Sequence, residues 1–497
     1  MKRLVTLILT LTVAFMSLPM ATLAAPTPYI TPPAPKFTDA ERHAELARRR
    51  TAVEAKMADN SVMILLSAEP KLYTNDVDYA FRQENDLYYL TNLKQANATL
   101  FIQKKGGKVT EVVYVPERDP SKETWNGHMY SREDAQRISG IVPALPTDVP
   151  KIIDAIKRRS DPAINTVYLL LPMHDGDSEG LREYRAEASL AKQLASPTVP
   201  KGPGARPLKI ENARPIFDEL RMIKSPYEQK MLQHAIDIST EAHERSWMTV
   251  GDVSMEYELQ AEVEYTFRRR NADYWGYPSI VGCGPNATTL HYEESQSPVT
   301  KGQLVLMDVG AEYEHMSADV TRTFPVNGKF SKEQADIYQI VYDAQEAVAR
   351  TAKPGASMFD IEKAADDVLE KGLLRLGLIT PEMPQYQIWY MHGVGHWLGM
   401  NVHDVGEKDV FEPGMTFTNE PGIYIRADAL DYLPDTPEFR TFKEKIRPAF
   451  EKYKNIGVRI EDDMIITPTG VDWMTKNLPR KMSDIEEFMA ANKMAVR

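Results

Sequence analysis

The chain has 497 residues, more than one hydrophobic core usually organises, so we expect two domains. Its composition, 43% hydrophobic and 26% charged, is that of an ordinary globular protein. The formal net charge of −12 argues against a general nucleic-acid binder, because such proteins present a basic surface. The single cysteine, Cys283, excludes an intrachain disulfide, and its small, apolar neighbours indicate a buried side chain rather than a nucleophile.

The N-terminal residues have the pattern of a secretory signal peptide. Two basic residues precede an uncharged apolar run at positions 4–18, and small residues follow as far as Ala24 and Ala25. Cleavage after Ala24 is favoured, because cleavage after Ala25 would leave proline directly behind the cut. The apolar run is too short to span a bilayer, and no other stretch approaches that length. We therefore expect residues 1–24 to be removed and the protein to be exported, periplasmic or extracellular, with no membrane span.

The first half of the chain has an α/β pattern. Residues 25–40 hold many prolines and no hydrophobic period, which predicts a poorly ordered leader. A polar helix is predicted from about Thr38 to Met57. Apolar runs typical of buried strands follow at 62–66, 98–103, 109–115 and 166–171. Helical patterns separate these runs, and a proline-rich segment at 196–205 marks the end of this half.

Two capping boxes mark long helices in the second half. Ser225 is followed by a proline suited to the first helical position, and Glu228 completes the box. Ser331 opens the second box with Gln334, and helical apolar spacing continues to a Pro-Gly pair at 354–355. The segments between and after these helices are β-rich, and they contain the residues suited to metal chemistry.

Two aspartates lie in neighbouring strand-like runs. Asp308 lies in an apolar run that starts at Gln303, and Asp319 lies in the next run, which reaches Phe324. A hairpin centred between positions 313 and 314 would place the aspartates directly opposite each other, with Cβ atoms about 5 Å apart. Two buried carboxylates at that distance repel, and a cation between them removes the repulsion. The apolar neighbours disfavour the alternative of two solvated turn carboxylates, so we predict a cation site.

Two glutamates extend this acidic group. Glu461 lies in an alternating strand pattern, where it shares a face with Arg459. Glu420 ends a further apolar strand that begins at position 415. Both glutamates strengthen the prediction of a cation site.

Three of the ten histidines fall within twelve residues, at His392, His396 and His403. His392 and His396 have the spacing of a zincin helix, but the intervening glycines disfavour a helix and the HExxH glutamate is missing. We therefore reject a zincin site. A lone histidine is usually structural, whereas three histidines alongside strand carboxylates indicate a functional site.

Five of these residues resemble, in order and local sequence, the dimetal ligands of the creatinase-like pita-bread metallopeptidases: Asp308, Asp319, His396, Glu420 and Glu461. Within that superfamily the chain resembles aminopeptidase P. The motifs that carry the resemblance lie at 306–310, 318–325, 392–399, 402–406, 412–415, 419–422 and 459–463. The first half is similar to that family's N-terminal domain at 75–78, 81–83 and 86–91. Seven motifs in one order are far more specific than any single motif.

The resemblance implies an α/β (α+β) fold, with an N-terminal creatinase-like α/β domain followed by a C-terminal pita-bread catalytic domain. The expected boundaries are 1–24 for the signal peptide, 25–40 for the leader, 41–212 and 213–480 for the two domains, and 481–497 for a C-terminal tail. Two departures from the family's pattern are expected to border the site. The loop between Gly406 and Glu412 is shorter, and an extra segment at 427–455 has a charged helical pattern from Phe439 onward.

The implied function is that of a metal-dependent exopeptidase. It would release the N-terminal residue from peptides with proline at the second position, using a hydroxide held between two metal ions. The oxygen-rich ligand set suits two divalent ions, with Mn²⁺ favoured over Co²⁺ or Zn²⁺. By resemblance, Asp319 and Glu461 bridge the ions, Asp308 completes one, and His396 with Glu420 completes the other.

The resemblance also implies roles around the ligands. Glu420 would orient the hydroxide and carry its proton to the leaving nitrogen, and His403 would stabilise the developing oxyanion. His392 and His291 would position the substrate. Arg459, grouped with the substrate-binding residues, would hold the bridging carboxylate without contacting the metal, a role compatible with a structural salt bridge.

Trp125 resembles a family tryptophan that reaches the active site of a neighbouring subunit. It would then contact the substrate, and the protein would be a homodimer or homotetramer. Packing of Trp125 against its own domain is the alternative.

Two other functions stay open. A prolidase, which cuts Xaa-Pro dipeptides, must hold a C-terminal carboxylate; the arginine that family prolidases use is missing from 404–419, although Lys408 could substitute. An inactive pita-bread module that binds peptides is more distant, because all five ligands, His392 and His403 are present. The expected partners are therefore peptides with an Xaa-Pro N-terminus, and not nucleic acid.

Overall fold

The computed structural model describes residues 26–144, 148–171, 185–195 and 207–493. The predicted signal peptide and the proline-rich segment 196–205 lie outside these ranges. Within them, no helix combines the length and the apolar character needed to cross a membrane.

The elements of the described ranges alternate between helices and short strands. The helices are α1 (Asp39–Lys56), α2 (Asn85–Thr91), α3 (Pro120–Asn126), α4 (Arg132–Ser139), α5 (Val149–Lys157), α6 (Arg185–Leu194), α7 (Arg214–Met222), α8 (Pro226–Thr249), α9 (Glu256–Arg269), α10 (Lys332–Thr351), α11 (Met358–Leu376), α12 (Pro437–Tyr453) and α13 (Met482–Ala491). The strands are β1 (Ser61–Leu66), β2 (Leu72–Thr74), β3 (Val77–Asp78), β4 (Thr99–Lys105), β5 (Lys108–Tyr114), β6 (Pro143–Ala144), β7 (Thr166–Leu169), β8 (Lys209–Asn212), β9 (Tyr274–Trp275), β10 (Ile280–Cys283), β11 (Leu304–Asp308), β12 (Ala311–Tyr313), β13 (Met316–Ser317), β14 (Thr321–Pro325), β15 (Thr416–Asn419), β16 (Gly422–Tyr424), β17 (Gly457–Arg459), β18 (Asp462–Ile466) and β19 (Val471–Trp473).

The first domain is built on a six-stranded mixed sheet in the order β6-β5-β4-β1-β7-β8. β1 pairs antiparallel with β4 and parallel with β7. Met63 and Leu65 of β1 pack with residues of α1, α2 and α4, whereas Val62 and Ile64 pack with residues of α5 and α6. Helices thus cover both faces, which is why its central strands are continuous apolar runs in the sequence.

The second domain combines short antiparallel sheets with two pairs of long helices. The sheets have the orders β10-β11-β14, β13-β12-β9, β15-β18-β19 and β16-β17. α8 packs with α9, and α10 packs with α11. Both predicted capping boxes are present, with Ser225 capping α8 and Ser331 capping α10. The single cysteine, Cys283, is buried at the end of β10, as predicted.

The two domains share one hydrophobic core. Phe217 of α7 and Leu232 of α8 belong to the same cluster as Leu87 of α2. Met316 and Leu398, which lie close in sequence to two predicted ligands, also belong to it. The first domain therefore packs directly against the segments that carry the predicted site.

The described part of the leader, residues 26–38, contains neither helix nor strand but is attached to α8. The Thr31 amide and hydroxyl donate to the Glu241 carboxylate at 2.8 and 2.6 Å. The Tyr29 hydroxyl donates to Asp237 at 2.9 Å. The expectation of a poorly ordered leader is therefore corrected for this stretch. A proline-rich pattern does not reveal that backbone and hydroxyl groups have partners elsewhere in the chain.

The hairpin that carries the two aspartates has a different register from the predicted one. Asp308 pairs with Thr321, and the turn lies at Glu314 and His315, one residue later than predicted. Both turn residues have a left-handed backbone, with φ of +49° and +63°, a conformation that the sequence pattern does not favour at these residues. Because side chains alternate with a period of two, Asp308 and Asp319 stay on one face, but as diagonal neighbours.

The extra segment at 427–455 forms α12, as its charged helical pattern predicts. It joins Tyr424 at the end of β16 to Gly457 at the start of β17. Glu420 and Glu461 flank the opposite end of this strand pair. α12 packs against α10 through its buried residues Phe442, Ile446, Phe450 and Tyr453. The connection leaves from the end of the strand pair away from Glu420 and Glu461, and the expectation that this segment borders the site stays a prediction.

Candidate metal centre

The five predicted ligands come from five separate segments of the second domain. Asp308 ends β11, and Asp319 lies between β13 and β14. Glu420 directly follows β15, and Glu461 lies between β17 and β18. His396 lies in a loop that is tied to β15, because its carbonyl accepts the Thr418 amide at 2.9 Å. Positions at strand ends let these side chains leave the sheets and converge.

Four of these side chains meet at one point. His396 Nε2 lies 3.2 Å from Asp319 and 3.4 Å from Glu420. One ligand atom each from Asp319, His396 and Glu461 lie within 4.8 Å of one another. The aspartate and Glu461 are buried, whereas His396 and Glu420 are partly exposed toward a cleft. The arrangement gives a charged pocket with one open side.

Asp308 is connected to these four side chains by Arg459, which contacts both Asp308 and Glu461. The Tyr277 hydroxyl donates to one oxygen of Asp308, and the Arg459 guanidinium donates to the other. The Arg459 Nε also lies 3.8 Å from Glu461. The Thr321 hydroxyl donates to Glu461 at 2.5 Å. Arg459 therefore fixes the positions of two carboxylates that come from different segments, Asp308 and Glu461.

The carboxylates of this pocket raise one another's pKa. Burial and the charges of the other carboxylates raise the pKa of Glu461 well above its ordinary value. Burial likewise raises the pKa of Asp308, against the attraction of Arg459. Burial raises the pKa of Glu420 to about 7, although the His396 charge opposes the shift. The protein groups alone thus favour retained protons at this site near neutral pH.

Two opposing effects act on the pKa of His396. Burial lowers its pKa, but the hydrogen bond and charge of Asp319, with the charge of Glu420, raise it to about 9. Its Nδ1 lies 3.1 Å from the Trp397 carbonyl, to which it can donate. This contact leaves Nε2 directed toward the carboxylates, the orientation of a metal-binding imidazole.

The donor set fits divalent cations. The set has four carboxylates and one imidazole, and within the described residues Arg459 is the guanidinium that pairs with its carboxylates, so the pocket has an excess of negative charge. Asp463 adds to this excess: it accepts the Asp319 amide at 3.1 Å, and its other oxygen is buried with no hydrogen-bond partner among the residues that the structure describes. Carboxylate oxygens with imidazole nitrogen are ligands for Mn²⁺, Co²⁺ or Zn²⁺.

Two glycines allow the ligand segments to approach each other. A Cβ atom at Gly310 would lie 1.8 Å from the Ala318 carbonyl oxygen, and one at Gly395 would lie 1.9 Å from that of Thr418. Neither position can hold a side chain without moving backbone. This explains the glycines beside the ligands in two of the sequence motifs.

Comparison with known proteins decides the family. The model of metallopeptidase family M24 matches residues 230–468, and that of the aminopeptidase P N-terminal domain matches residues 46–164. A Xaa-Pro aminopeptidase of Haemophilus influenzae is 34% identical over 464 residues, covering 90% of this chain and 97% of the relative. The chain belongs to the aminopeptidase P group of metallopeptidase family M24.

Further comparisons agree along nearly the whole chain. A Xaa-Pro aminopeptidase of Escherichia coli is 32% identical over 462 residues, covering 90% of this chain and 98% of the relative. The solved proline aminopeptidase P II of Yersinia pestis is 31% identical with a TM-score of 0.78, covering 92% of this chain and all of that one. A zinc-substituted E. coli aminopeptidase P in complex with product has 30% identity and a TM-score of 0.78, over 93% of this chain and all of that one. The predicted fold class is confirmed, and M24 membership implies divalent metal ions.

The other predicted histidines surround the M24 site. His392 lies 3.7 Å from Glu420, and its Nε2 accepts the Tyr424 hydroxyl at 2.8 Å. Burial and the Arg459 charge lower the pKa of His392 to about 4, so it is neutral at pH 7. The His403 ring lies 4.1 Å from the His396 ring, centroid to centroid. Burial lowers the pKa of His403, and the charge of His396 lowers it further.

His291 and Trp125 differ in their relation to this M24 site. The charge of His291 contributes to the lowered pKa of both His392 and His403, so His291 lies within electrostatic range of both imidazoles. Trp125 instead lies on α3 of the first domain, with its side chain 85% exposed. Within one chain, it stands apart from the ligand cluster.

Five polar residues of the M24 site were missed by sequence reasoning: Tyr277, Thr321, Thr418, Tyr424 and Asp463. The Thr418 hydroxyl donates to Glu420 at 3.1 Å and accepts the His396 amide at 3.0 Å. Three of the five had a signal in the sequence. Thr321, Thr418 and Asp463 lie two residues from a ligand and so share its face of an extended chain. The two tyrosines had no comparable signal.

Proposed function

We propose that this chain is a metal-dependent exopeptidase that releases the N-terminal residue from peptides with proline at the second position. The observation that carries the proposal is the convergence of Asp319, His396, Glu420 and Glu461 on one partly open pocket, with the imidazoles of His392 and His403 beside it. The relatives named Xaa-Pro aminopeptidase, which match nearly the whole chain, support the substrate class.

We propose that the pocket holds two divalent ions, with Mn²⁺ as the favoured metal and Co²⁺ or Zn²⁺ as alternatives. Asp319 and Glu461 would contact both ions, Asp308 one, and His396 with Glu420 the other. When bound, such ions lower the pKa of a water and polarise the scissile carbonyl. The excess of negative charge and the raised pKa values of Glu461 and Asp308 support a total of more than one cation charge.

The residues of the chain supply proton transfer and orientation. Glu420, whose pKa lies at about 7, can take a proton from the attacking water and give it to the leaving nitrogen. His403 faces the cleft beside His396 and can donate a hydrogen bond to the oxygen that becomes negative. His392 is held by Tyr424 as a neutral imidazole that can contact the substrate. His291, within electrostatic range of these two imidazoles, completes the substrate-binding side.

Selection of proline follows from its covalent structure. The imide nitrogen carries no hydrogen and the ring fixes φ, so a pocket shaped for the ring favours proline over other residues. A prolidase would also need a cation for the C-terminal carboxylate of a dipeptide. Lys408, the candidate from the sequence, forms a 2.7 Å ion pair with the exposed Glu412. This contact favours the aminopeptidase over the prolidase.

The test uses purified protein supplied with Mn²⁺ and three substrates: an Xaa-Pro dipeptide, an Xaa-Pro-Xaa tripeptide and an Xaa-Ala-Xaa tripeptide. We expect release of the first residue from the proline tripeptide and little from the alanine tripeptide. Cleavage of the dipeptide alone identifies a prolidase. Binding of the peptides without cleavage identifies an inactive module.

We also propose export and self-association. The basic, apolar and small-residue pattern of positions 2–25 supports cleavage of a signal peptide. N-terminal sequencing of the protein from the periplasm should begin at Ala25. The resemblance of Trp125 to a family tryptophan that reaches a neighbouring subunit, together with its exposure within one chain, supports a homodimer or homotetramer. Sedimentation analysis should show a species larger than the monomer.

A further inference from the structure

We propose that Arg221 and Asp86 are positioning residues for His403 and act through a buried ion network that crosses the domain interface. The inference rests on the proposed function, because it assigns these residues to the same reaction. It extends the site to the first domain, in which Asp86 lies on α2.

The network has two carboxylates and two cations. The guanidinium of Arg221 donates to Asp86 at 2.8 Å and to Asp404 at 2.6 Å. The ammonium of Lys224 lies 3.3 Å from the other oxygen of Asp404. The four side chains are at most 5% exposed, and that of Asp404 is fully buried. A Cβ atom at Gly399 would lie 2.1 Å from Asp404, so the chain is closely fitted around this carboxylate.

Asp404 is the residue through which the network reaches the site. Its side chain is buried, whereas the preceding residue, His403, is exposed to the cleft. The Asp404 amide donates to the Trp397 carbonyl at 2.9 Å, and its carboxylate accepts the Asn401 amide at 3.4 Å. An anchored Asp404 therefore fixes the backbone from which the His403 imidazole extends toward His396.

The first domain also contacts the loop of His403 directly, at Met400 and Asn401. Arg82 donates to the Met400 carbonyl at 2.7 Å, and the Asn85 amide group donates to the Asn401 side chain at 2.8 Å. Arg82, Asn85 and Asp86 are close together in sequence. One short segment of the first domain thus contacts Met400 and Asn401 directly and reaches Asp404 through Arg221.

The decisive experiment is a double-mutant cycle. Asp86→Asn keeps the shape of the side chain and removes its charge, so Arg221 is no longer held from both sides. We expect kcat on an Xaa-Pro-Xaa peptide to fall about tenfold, with KM and metal content unchanged. In a His403→Ala background the same substitution should not lower kcat further, because the imidazole that it positions is absent. An equal decrease in both backgrounds would overturn the proposal.

A matched control separates positioning from general destabilisation. Glu262→Gln breaks an ion pair of 2.8 Å with Arg245, between α8 and α9, remote in sequence from the network. This variant should keep the wild-type kcat. If it lowers kcat as much as Asp86→Asn does, the effect is general and the proposal is wrong. Should Asp86→Asn not fold, Asn401→Ala removes only the contact with Asn85 and should lower kcat in the same, His403-dependent manner.

A measurement without substrate keeps this inference separate from the proposed function. In zinc-loaded protein with ¹³C-labelled histidine, the His403 resonance is assigned by its loss in His403→Ala. Asp86→Asn should shift or broaden that resonance, while Glu262→Gln should leave it unchanged. An unchanged His403 resonance in Asp86→Asn contradicts the positioning role. Absence of cleavage of any Xaa-Pro peptide by the wild type, with this shift present, contradicts only the proposed function.

Discussion

Two buried groups of charge lie close together in this chain and differ in their balance. The interdomain network pairs Asp86 and Asp404 with Arg221 and Lys224, two negative charges with two positive ones. The metal centre has four carboxylates, and in the described part of the chain Arg459 is the guanidinium that pairs with them. Buried charges are tolerated when they are paired, so the network is complete from protein groups and the metal centre is not.

The pKa of Asp404 follows this difference, whereas burial raises the pKa of Asp86 in spite of the Arg221 charge. Burial raises the pKa of Asp404, but the charges of Arg221 and Lys224 outweigh burial and lower it below the ordinary value. For Glu461, burial and the other carboxylates act in the same direction and raise the pKa. Burial alone therefore does not identify a functional carboxylate. A functional carboxylate is identified by an excess of buried negative charge that protein cations do not balance.

The largest expected effect comes from removing a ligand. Asp319→Ala takes away a carboxylate that lies 3.2 Å from His396, so metal content should fall and peptidase activity should be lost. Metal analysis and an assay with an Xaa-Pro-Xaa peptide check this. Asp367→Ala, which removes an exposed carboxylate paired with Lys363 on α11, should change neither quantity. Full activity in a metal-replete Asp319→Ala protein would contradict the assignment of the centre.

Removal of an imidazole beside the centre should separate chemistry from metal binding. His403→Ala should retain most of the metal, because His403 is not a ligand in this account. Loss of an oxyanion partner should lower kcat by about 100-fold. His396→Ala provides the comparison, since it should lose metal as well as activity. Equal loss of metal in both variants would show that the two histidines have been assigned to the wrong roles.

The charge excess also predicts how metal and pH act on stability. In the metal-free protein Glu420 has a pKa of about 7, above that of an unfolded glutamate, and His396 has one of about 9. Both groups hold their protons more tightly when folded, so they stabilise the metal-free protein at low pH and this stabilisation is lost as pH rises. Metal binding displaces these protons. The increase in Tm on adding Mn²⁺ should therefore be larger at about pH 7.5 than at about pH 5.5.

Thermal unfolding with and without chelator at both pH values measures whether the metal-induced increase in Tm is larger at the higher pH. The Asp319→Ala variant is the control, because its Tm should respond weakly to metal at either pH. A larger metal-induced increase at the lower pH would contradict the account of the charge excess.

The smallest effect is expected outside both charge clusters, at Trp125. If Trp125 of one subunit lines the site of another beyond the proline, Trp125→Ala should lower kcat/KM several-fold for a pentapeptide and less for a dipeptide. The reason is geometric, since only the longer peptide extends past the proline ring. A uniform decrease for dipeptide, tripeptide and pentapeptide would show that Trp125 has a structural role.

The site could be predicted from the sequence where a ligand lies in a strand with apolar neighbours. All four carboxylate ligands follow that pattern, and the family motifs distinguished His396 from the other two clustered histidines. Tyr277 could not be found in this way, because it reaches Asp308 across the pocket from a position 31 residues away. Contacts of this kind depend on how segments are packed, which the local pattern does not contain.

In the fold, too, features that depend on neighbouring residues were predicted, whereas features that depend on tertiary packing were not. The helix caps at Ser225 and Ser331 depend on residues three positions apart, and both were predicted correctly. The register of the aspartate hairpin was wrong by one residue at the turn, because the left-handed conformation of Glu314 and His315 is stabilised by tertiary contacts. His315 stacks on Tyr88 of the first domain with ring centroids 3.8 Å apart, a contact between residues far apart in sequence. The position of α12 could not be derived from the sequence for a related reason, since a helical pattern does not show the end of the strand pair from which a connection leaves.

The most direct test of the central claim is a titration of metal-stripped protein. Chelated protein is dialysed and supplied with increasing Mn²⁺, while bound metal and release of the first residue from an Xaa-Pro-Xaa peptide are measured together. The account predicts no cleavage in the stripped protein, and activity that rises with metal to about two bound ions per chain. Full cleavage by protein that contains no metal would contradict it.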